Sequence, residues 1–152
     1  MKKATRELLK ARPKAKYVLV QSIELAETLA NHCYQNSVKL AETNEEDLLV
    51  VAGWMVGDFM GERGTAIIPH YWVQNDKTKI YYDPTPKPDN NTQDFDYVED
   101  FDIFQYGNEN SILPLSLKLN SNGKWQARNS TGTGYIDLDK VDVEQLYELR
   151  DS

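Results

Sequence analysis

Cysteine is nearly absent from this chain of 152 residues, which contains only one. A single cysteine excludes an internal disulfide and is typical of a reducing compartment, so a cytoplasmic protein is expected. Long apolar runs are also lacking, since none approaches the ~20 residues that a membrane-spanning helix requires. No apolar segment follows the basic start, so neither a secretory signal nor a membrane partner is expected.

Glycine and proline are sparse as well, at 8 and 6 residues, and no short repeat is present. Collagen-like and low-complexity classes are therefore excluded. A chain of this length predicts one domain, residues 1–152, which can bury ~70% of its unfolded surface without a disulfide or a metal. No cofactor is expected.

The net charge of -7 is unevenly distributed. Residues 1–16 hold seven basic residues and one acidic residue, a net charge of +6, which leaves -13 on the remainder. An acidic body repels phosphate backbones, so a nucleic-acid partner is not expected. The basic N-terminal arm, residues 1–16, is interpreted as a solubilising tail or a charged first helix that could touch an anionic partner.

The first half of the chain changes from helical to strand periodicity. Apolar residues recur at three- and four-residue steps from Ser22 to Ala41, which predicts a helix, or two helices with the second starting near His32. Short apolar or β-branched runs predict strands at residues 16–20, 48–56, 65–74 and 79–82, the last two joined as a hairpin. Pro69 is expected at a sheet edge or bulge.

The second half is more polar. Residues 87–111 form an expected acidic loop region; its acidic run lacks the glycine and closing glutamate of an EF-hand, which favours a solvated loop over a calcium site. Strands are predicted at residues 113–119, 125–127 and 135–138, and a short helix at 141–149. The predicted fold class is α+β, with N-terminal helices packed on an antiparallel sheet and a short C-terminal helix.

Three residues could form a nucleophilic site. A thiolate nucleophile needs a base and a third group that orients the base, and Cys33, His70 and Asp83 are of the required types. The predicted hairpin brings the strand that carries Asp83 beside the strand that carries His70, at the ~4.8 Å strand spacing. A helix packed across the sheet could then present Cys33 to the other ring nitrogen.

The order of these residues resembles transglutaminase-like cysteine proteins, a branch of the papain-like group, over residues 22–86. The matching pieces are Cys33, Gly53-Trp54, His70-Tyr71-Trp72-Val73 and Asp83-Pro84-Thr85, and residues 32–36 are similar to small uncharacterised bacterial and phage proteins of that type. The resemblance implies a papain-like core and a triad with Cys33 as nucleophile, His70 as base and Asp83 as the orienting group. It also implies acyl transfer at amide bonds of a protein or peptide: peptide hydrolysis, deamidation or transamidation.

An oxyanion in such a reaction needs N–H donors. The backbone N–H of Cys33 is one candidate, and the side chain of Gln21 is another. Asn36, Trp54 and Trp72 complete the set of residues considered for the oxyanion or the substrate.

Structural roles remain open for each residue of the triad. Cys33 lies on the apolar stripe, where free cysteine is often buried. His70 could be a core histidine, and Asp83 before proline is a common turn residue. A zinc site of His32, Cys33, His70 and Asp83 is disfavoured, because adjacent residues of a helix point in different directions. The sequence from 131 to 134 is interpreted as a turn, because no lysine follows it as in a phosphate loop.

The alternative function is a non-catalytic protein-interaction module with a degenerate papain-like fold, of the kind that a phage could direct at its host. The basic arm, the acidic loop and nine tyrosines suit a protein contact surface. A reactive thiolate is alkylated much faster than a buried thiol, so thiol reactivity distinguishes the two hypotheses.

Overall fold

A mostly antiparallel sheet dominates the computed structural model, which describes residues 1–24, 28, 32–43, 47–58, 65–86, 95–107 and 112–151. Within these residues the sheet has nine strands and is accompanied by four short helices. The strands are β1 Lys16–Val18, β2 Val20–Ser22, β3 Leu48–Asp58, β4 Thr65–Asn75, β5 Tyr81–Asp83, β6 Asp96–Glu99, β7 Leu117–Leu119, β8 Trp125–Arg128 and β9 Tyr135–Asp137. The helices are α1 Lys3–Ala11, α2 Cys33–Thr43, α3 Phe101–Gly107 and α4 Val143–Asp151.

The centre of the sheet is the long antiparallel pair of β3 and β4, which runs in register from Leu48↔Asn75 to Asp58↔Thr65. Both strands are rich in β-branched and aromatic residues that fit a buried sheet. The strand order is β1-β6-β3-β4-β7-β8-β9. In addition β5 pairs with β4, and β2 pairs with β5 in parallel. The two faces of the central strands carry separate apolar clusters, one around Trp54 and Tyr71 and the other around Trp72 and Tyr97.

One edge of β4 is interrupted. Because β3 covers the whole of β4 on one side, β5 and β7 share the other side. There β5 pairs with Val73 and Gln74, and β7 pairs with Ala66 and Ile67. Among the described residues, residues 68–72 therefore have no strand partner on this edge. This open edge of β4 positions the candidate site.

The N-terminal basic segment is docked on the acidic part of the same chain. Helix α1 buries Ala4, Thr5 and Leu8. The backbone N–H of Lys2 and the hydroxyl of Thr5 donate to the Asp96 carboxylate at 2.7 and 2.6 Å. The next contact is an ion pair between Arg12 and Asp100 (2.9 Å), joined by a second one to Asp102. Residues 1–16 are therefore not a free tail. Part of this segment is already held by acidic residues of the same chain, so only the rest of it could meet a separate anion.

The predicted α+β fold with helices packed on a papain-like core is wrong. In the part of the chain that the structure describes, the protein is mostly one large antiparallel sheet of nine strands with four short helices. The apolar stripe from residue 22 misled the prediction, because β2 extends to Ser22 and the described helix starts only at Cys33; residues 25–27 and 29–31 lie outside the described residues. The expected loop at 87–111 contains β6 and α3, while 87–94 and 108–111 lie outside the described residues.

Within the described ranges, no helix is both long enough and apolar enough to cross a membrane.

Candidate active site

Three different elements bring Cys33, His70 and Asp83 together. Cys33 is the first residue of α2, and Asp83 ends β5. His70 lies in the stretch of β4 that pairs with β3 on one edge and has no described strand on the other. The β4–β5 register, with Val73 opposite Tyr82, places Asp83 level with residue 72 and on the same face as His70. The Nε2 atom of His70 lies 2.8 Å from Oδ2 of Asp83, and the Cys33 thiol forms a hydrogen bond with His70. Since Nε2 faces the carboxylate, Nδ1 is the nitrogen left for Cys33.

The carboxylate of Asp83 is held at three points. Besides His70, the hydroxyl of Tyr97 donates to Oδ2 at 2.6 Å, and the backbone N–H of Thr85 donates to Oδ1 at 3.0 Å. Asp83 is 2% exposed and Tyr97 is 5% exposed. In a site that excludes water, this arrangement fixes the carboxylate against rotation and keeps one oxygen aimed at the imidazole.

The sulfur of Cys33 lies against the open edge of β4. It accepts a backbone hydrogen bond from Tyr71, and the ring of Tyr34 packs edge-on against Tyr71 with centroids 5.0 Å apart. Pro69, two residues earlier, has no backbone N–H to leave unpaired at this edge, which explains a proline within a central strand. Because no described strand lies beside residues 68–72 on this edge, the start of α2 can approach β4 there.

The charges of the triad favour a thiolate–imidazolium pair. Burial alone would lower the pKa of His70, but the charge and hydrogen bond of Asp83 outweigh it and raise that pKa to about 10. Burial alone would raise the pKa of the Cys33 thiol, but His70 and the backbone bond from Tyr71 bring it below its usual range. Burial would likewise raise the pKa of Asp83, yet the charge of His70 and three hydrogen bonds hold it below the ordinary carboxyl value. The start of α2 adds the positive end of a helix dipole beside the sulfur.

Asn36 and Trp72 lie next to the triad but inside the protein. Asn36 is 4% exposed, and its Nδ2 donates to Oγ1 of Thr85 at 3.1 Å. That bond ties α2, which carries Cys33, to the turn that holds Asp83. Trp72 is fully buried and stacks beside His70 at 6.1 Å between ring centroids. Both side chains thus support the triad in this geometry, and neither offers an exposed surface to a substrate.

Trp54 and Gln21, the other two candidates, lie elsewhere in the sheet. Trp54 is fully buried, and its indole N–H donates to Asp100 at 3.1 Å, so its donor is already engaged in the core. Gln21 is exposed on β2. It lies opposite Tyr82 on β5, and the next residue, Ser22, lies opposite Asp83. The side chain of Gln21 therefore lies at the outer strand of the β2–β5 pair.

Sequence reasoning missed Tyr97 and the hydrogen-bonding role of Thr85. Tyr97 comes from β6, which lies two strands from β4 and is only four residues long. Acidic residues surround it at positions 96, 99 and 100, so the local pattern indicated a loop. The position of Thr85 after Asp83-Pro84 could have been noticed, because an aspartate often accepts the N–H two residues ahead.

The arrangement suits nucleophilic chemistry better than metal binding. Among the described residues there is no group of three or more His, Cys, Asp or Glu side chains placed to hold a metal ion. The three residues form a chain of hydrogen bonds, in which one ring nitrogen of His70 faces the thiol and the other faces the carboxylate. That order is the one in which a base deprotonates a nucleophile and is itself stabilised as a cation.

No protein-family model, curated protein or solved structure matches this chain, so its function is inferred from the geometry of the site itself.

Proposed function

We propose that the protein is a cysteine-dependent acyl-transfer enzyme that acts on amide bonds of a peptide or protein. The observation that carries the proposal is the buried hydrogen-bonded chain from Cys33 through His70 to Asp83, at the start of a helix. A structural cysteine has no need of a histidine and a carboxylate aligned behind it. Resemblance of the motif order to transglutaminase-like cysteine proteins agrees with this reaction class.

The reaction would proceed in two displacements. In the first, the Cys33 thiolate attacks the carbonyl carbon and forms a C–S bond, while His70 donates its Nδ1 proton to the departing amine as the C–N bond breaks. In the second, His70 takes a proton from water or from an acceptor amine, which attacks the thioester and releases Cys33. Water as acceptor gives hydrolysis or deamidation, and an amine gives transamidation.

The first turn of α2 supplies donors for the oxyanion. Helices leave their first backbone N–H groups without intrahelical partners, and here Asn36 is the residue whose N–H bonds back to His32, at 2.9 Å. The N–H groups of Cys33 and the two residues after it precede that first helical bond. We assign the oxyanion to this turn, because its N–H groups lie beside the nucleophile and carry the positive end of the helix dipole.

Alkylation of native protein with iodoacetamide across pH 5 to 9 tests the proposal. The low pKa of Cys33 predicts a half-maximal rate below the free-thiol value of ~8.5, and the raised pKa of His70 keeps the stabilising imidazolium through this range. Because the chain has one cysteine, the gain of one carbamidomethyl group by mass spectrometry reports Cys33 alone.

The two histidines of the chain provide a matched control. His70→Ala should move the labelling midpoint up towards the free-thiol value, whereas His32→Ala, at the exposed residue just before Cys33, should leave it in place. A wild-type midpoint at or above ~8.5, or no labelling until denaturant is added, would contradict the proposed chemistry.

Tyr97→Phe tests the support of Asp83. The Tyr97 bond helps to keep the Asp83 pKa low, so its loss should raise that pKa and weaken the charge on His70 at acidic pH. We expect the fall in alkylation rate that accompanies protonation of Asp83 to begin at higher pH, by about one unit, in a profile extended below pH 5, in keeping with a hydrogen bond to a charged group. Tyr81→Phe is the control. Tyr81 belongs to the same apolar cluster as Tyr97, but its hydroxyl donates to Glu99 and not to Asp83. Identical profiles for the two variants would show that Tyr97 only packs.

A protein-interaction module is the second candidate, and a specific surface favours it. Large apolar side chains are exposed around two adjoining depressions that share Lys16 and Gln74. These side chains are Tyr17, Leu19, Leu49, Ile80 and Phe101, of which Leu19 is 78% exposed. Exposed apolar groups gathered in one place often mark a contact with another protein. An unreactive Cys33 in the alkylation experiment would leave this candidate as the better one.

A further inference from the structure

A gap one strand wide lies beside the first half of β3. Strand β6 lies between β1 and β3 as far as Glu99, which is opposite Gly53. The chain then turns into α3 at Phe101, so the described residues place no strand beside residues 48–51 of β3 on this edge. A depression of about 630 Å³ occupies this position, and its lining includes residues 49–52. The gap is thus the place that a longer β6 would have filled.

Backbone groups of β3 face this gap. Alternate residues of a strand direct both backbone groups to the same edge, and the carbonyl of Ala52 faces this edge because it accepts the N–H of Asp100 at 3.0 Å. Two positions earlier, Val50 therefore directs its N–H and C=O into the gap. In the part of the chain that the structure describes, no residue forms a hydrogen bond with either group of Val50 on this side. Such an edge is a template for an added strand.

The walls of the gap carry exposed apolar side chains. Phe101 is 67% exposed and stacks on Phe104 with ring centroids 6.0 Å apart. Phe104 and Val50 pack against the same apolar cluster, so the two rings lie on the face of the sheet that Val50 occupies. Leu49 is 49% exposed and points to the opposite face, since successive side chains of a strand alternate. A strand in the gap would bury apolar surface on both of its faces.

The rim of the gap has one lysine without a carboxylate partner. Among the described lining residues the charged ones are Lys14, Lys16 and Glu99. Lys16 pairs with Glu99 at 3.6 Å, whereas Lys14 is exposed and forms no ion pair with any described residue. Lys14 belongs to the part of the basic N-terminal segment that the acidic residues of the chain do not hold. The gap therefore favours a partner that brings a negative charge.

We propose that this gap binds an extended segment of another protein, which carries apolar and acidic side chains and adds to β3 as an antiparallel strand in line with β6. The inference names the partner of the surface on which the second candidate function depends, and it does not rest on the reaction of Cys33. In an antiparallel pair, the residue opposite Val50 has its side chain on the same face as Val50, next to the two phenylalanines. Apolar residues should therefore occupy alternate positions of the partner, with acidic residues between them.

A short fluorescein-labelled peptide of alternating valine and glutamate tests the inference by fluorescence anisotropy. At low salt we expect it to bind roughly fivefold more tightly than the same peptide with glutamine in place of glutamate, the scale of an exposed ion pair. Added salt should reduce that preference. N-methylation of the valines should abolish binding, because their N–H groups face β3, while N-methylation of the glutamates should weaken it less.

Variants of exposed residues locate the binding site. Phe101→Ala should weaken binding by about fivefold or more, as for an apolar contact at the centre of an interface. Leu19→Ala is its control, because Leu19 is exposed in the adjoining depression and does not line this one. Lys14→Gln should remove the preference for glutamate over glutamine. Lys3→Gln removes the same charge from an exposed position of α1 and should leave the preference unchanged.

Three results would overturn the inference. The first is the lack of saturable binding up to about 1 mM protein, and the second is equal binding of the two N-methylated peptides. The third is dimerisation of the protein alone that Phe101→Ala abolishes, which would show that a second copy fills the gap. Iodoacetamide labelling of the same samples tests the cysteine chemistry separately, and Cys33→Ser should bind the peptide as the wild type does, because Cys33 does not line the gap.

Discussion

Replacing Cys33 by serine should lower acyl transfer by about three orders of magnitude or more, the scale seen when a nucleophile of a coupled triad is removed. A hydroxyl is far more weakly acidic than a thiol, so His70 cannot hold it ionised in the ground state. His70→Ala should have a comparable effect, because the two residues act as a unit. Release of ammonia or amine from a panel of peptide amides, with and without hydroxylamine as acceptor, measures the loss.

The third member of the triad should matter less. Asp83→Asn keeps an oxygen that accepts from Nε2 of His70 but removes the charge that supports the imidazolium, so about two orders of magnitude more activity should survive than in Cys33→Ser. Urea unfolding of each variant shows whether the loss is chemical or structural. Full activity in a folded Cys33→Ser protein would disprove the nucleophile assignment.

Gly53→Ala should produce the largest loss of stability. Gly53 lies in the middle of β3, opposite His70 on one side and Glu99 on the other. A Cβ added there would lie 1.9 Å from the backbone oxygen of Val98 and 2.7 Å from the Trp72 ring. A backbone oxygen in the sheet centre cannot move aside cheaply, so we expect a cost of about 3 kcal/mol or more.

The same substitution at Gly134 is the control. There the nearest atom to an added Cβ is the side-chain nitrogen of Asn129, at 3.5 Å, an ordinary contact. Gly134→Ala should therefore change the free energy of unfolding little. Any cost of the added contact is offset because alanine lowers the conformational entropy of the unfolded chain. Urea denaturation of both variants measures the difference. Equal stabilities would mean that β3 and β6 can separate at Gly53 without loss.

The sequence carries enough information to place His70 and Asp83 near each other. Residues 65–83 are contiguous, and a turn between two strand-like runs brings their ends together by local geometry alone. The start of α2 at Cys33 was one of two open alternatives, because an apolar stripe cannot show where a helix begins. The hydrogen bond between Asn36 and Thr85 joins segments 49 residues apart, beyond the reach of any local pattern.

The fold class could not be obtained in the same way. Strand β6 inserts between β1 and β3, although neither of these strands is next to β6 in the sequence. That choice depends on which distant residues bury their apolar faces together, and Tyr97 and Val98 are the only buried residues of this four-residue strand. The flanking carboxylates led to the prediction of a solvated loop here. In the structure some of these carboxylates form ion pairs within the protein, as Asp100 does with Arg12.

Pro69 gives the open edge of β4 a property beyond access to the thiol. An unpaired strand edge is a template on which the strand of another molecule can add, and such additions are a common start of aggregation. A proline at the centre of the opening withholds the N–H that an incoming strand would need. Together with the start of α2, whose Cys33 accepts the N–H of Tyr71, this proline leaves the interrupted edge with little to offer a strand of another molecule at high protein concentration.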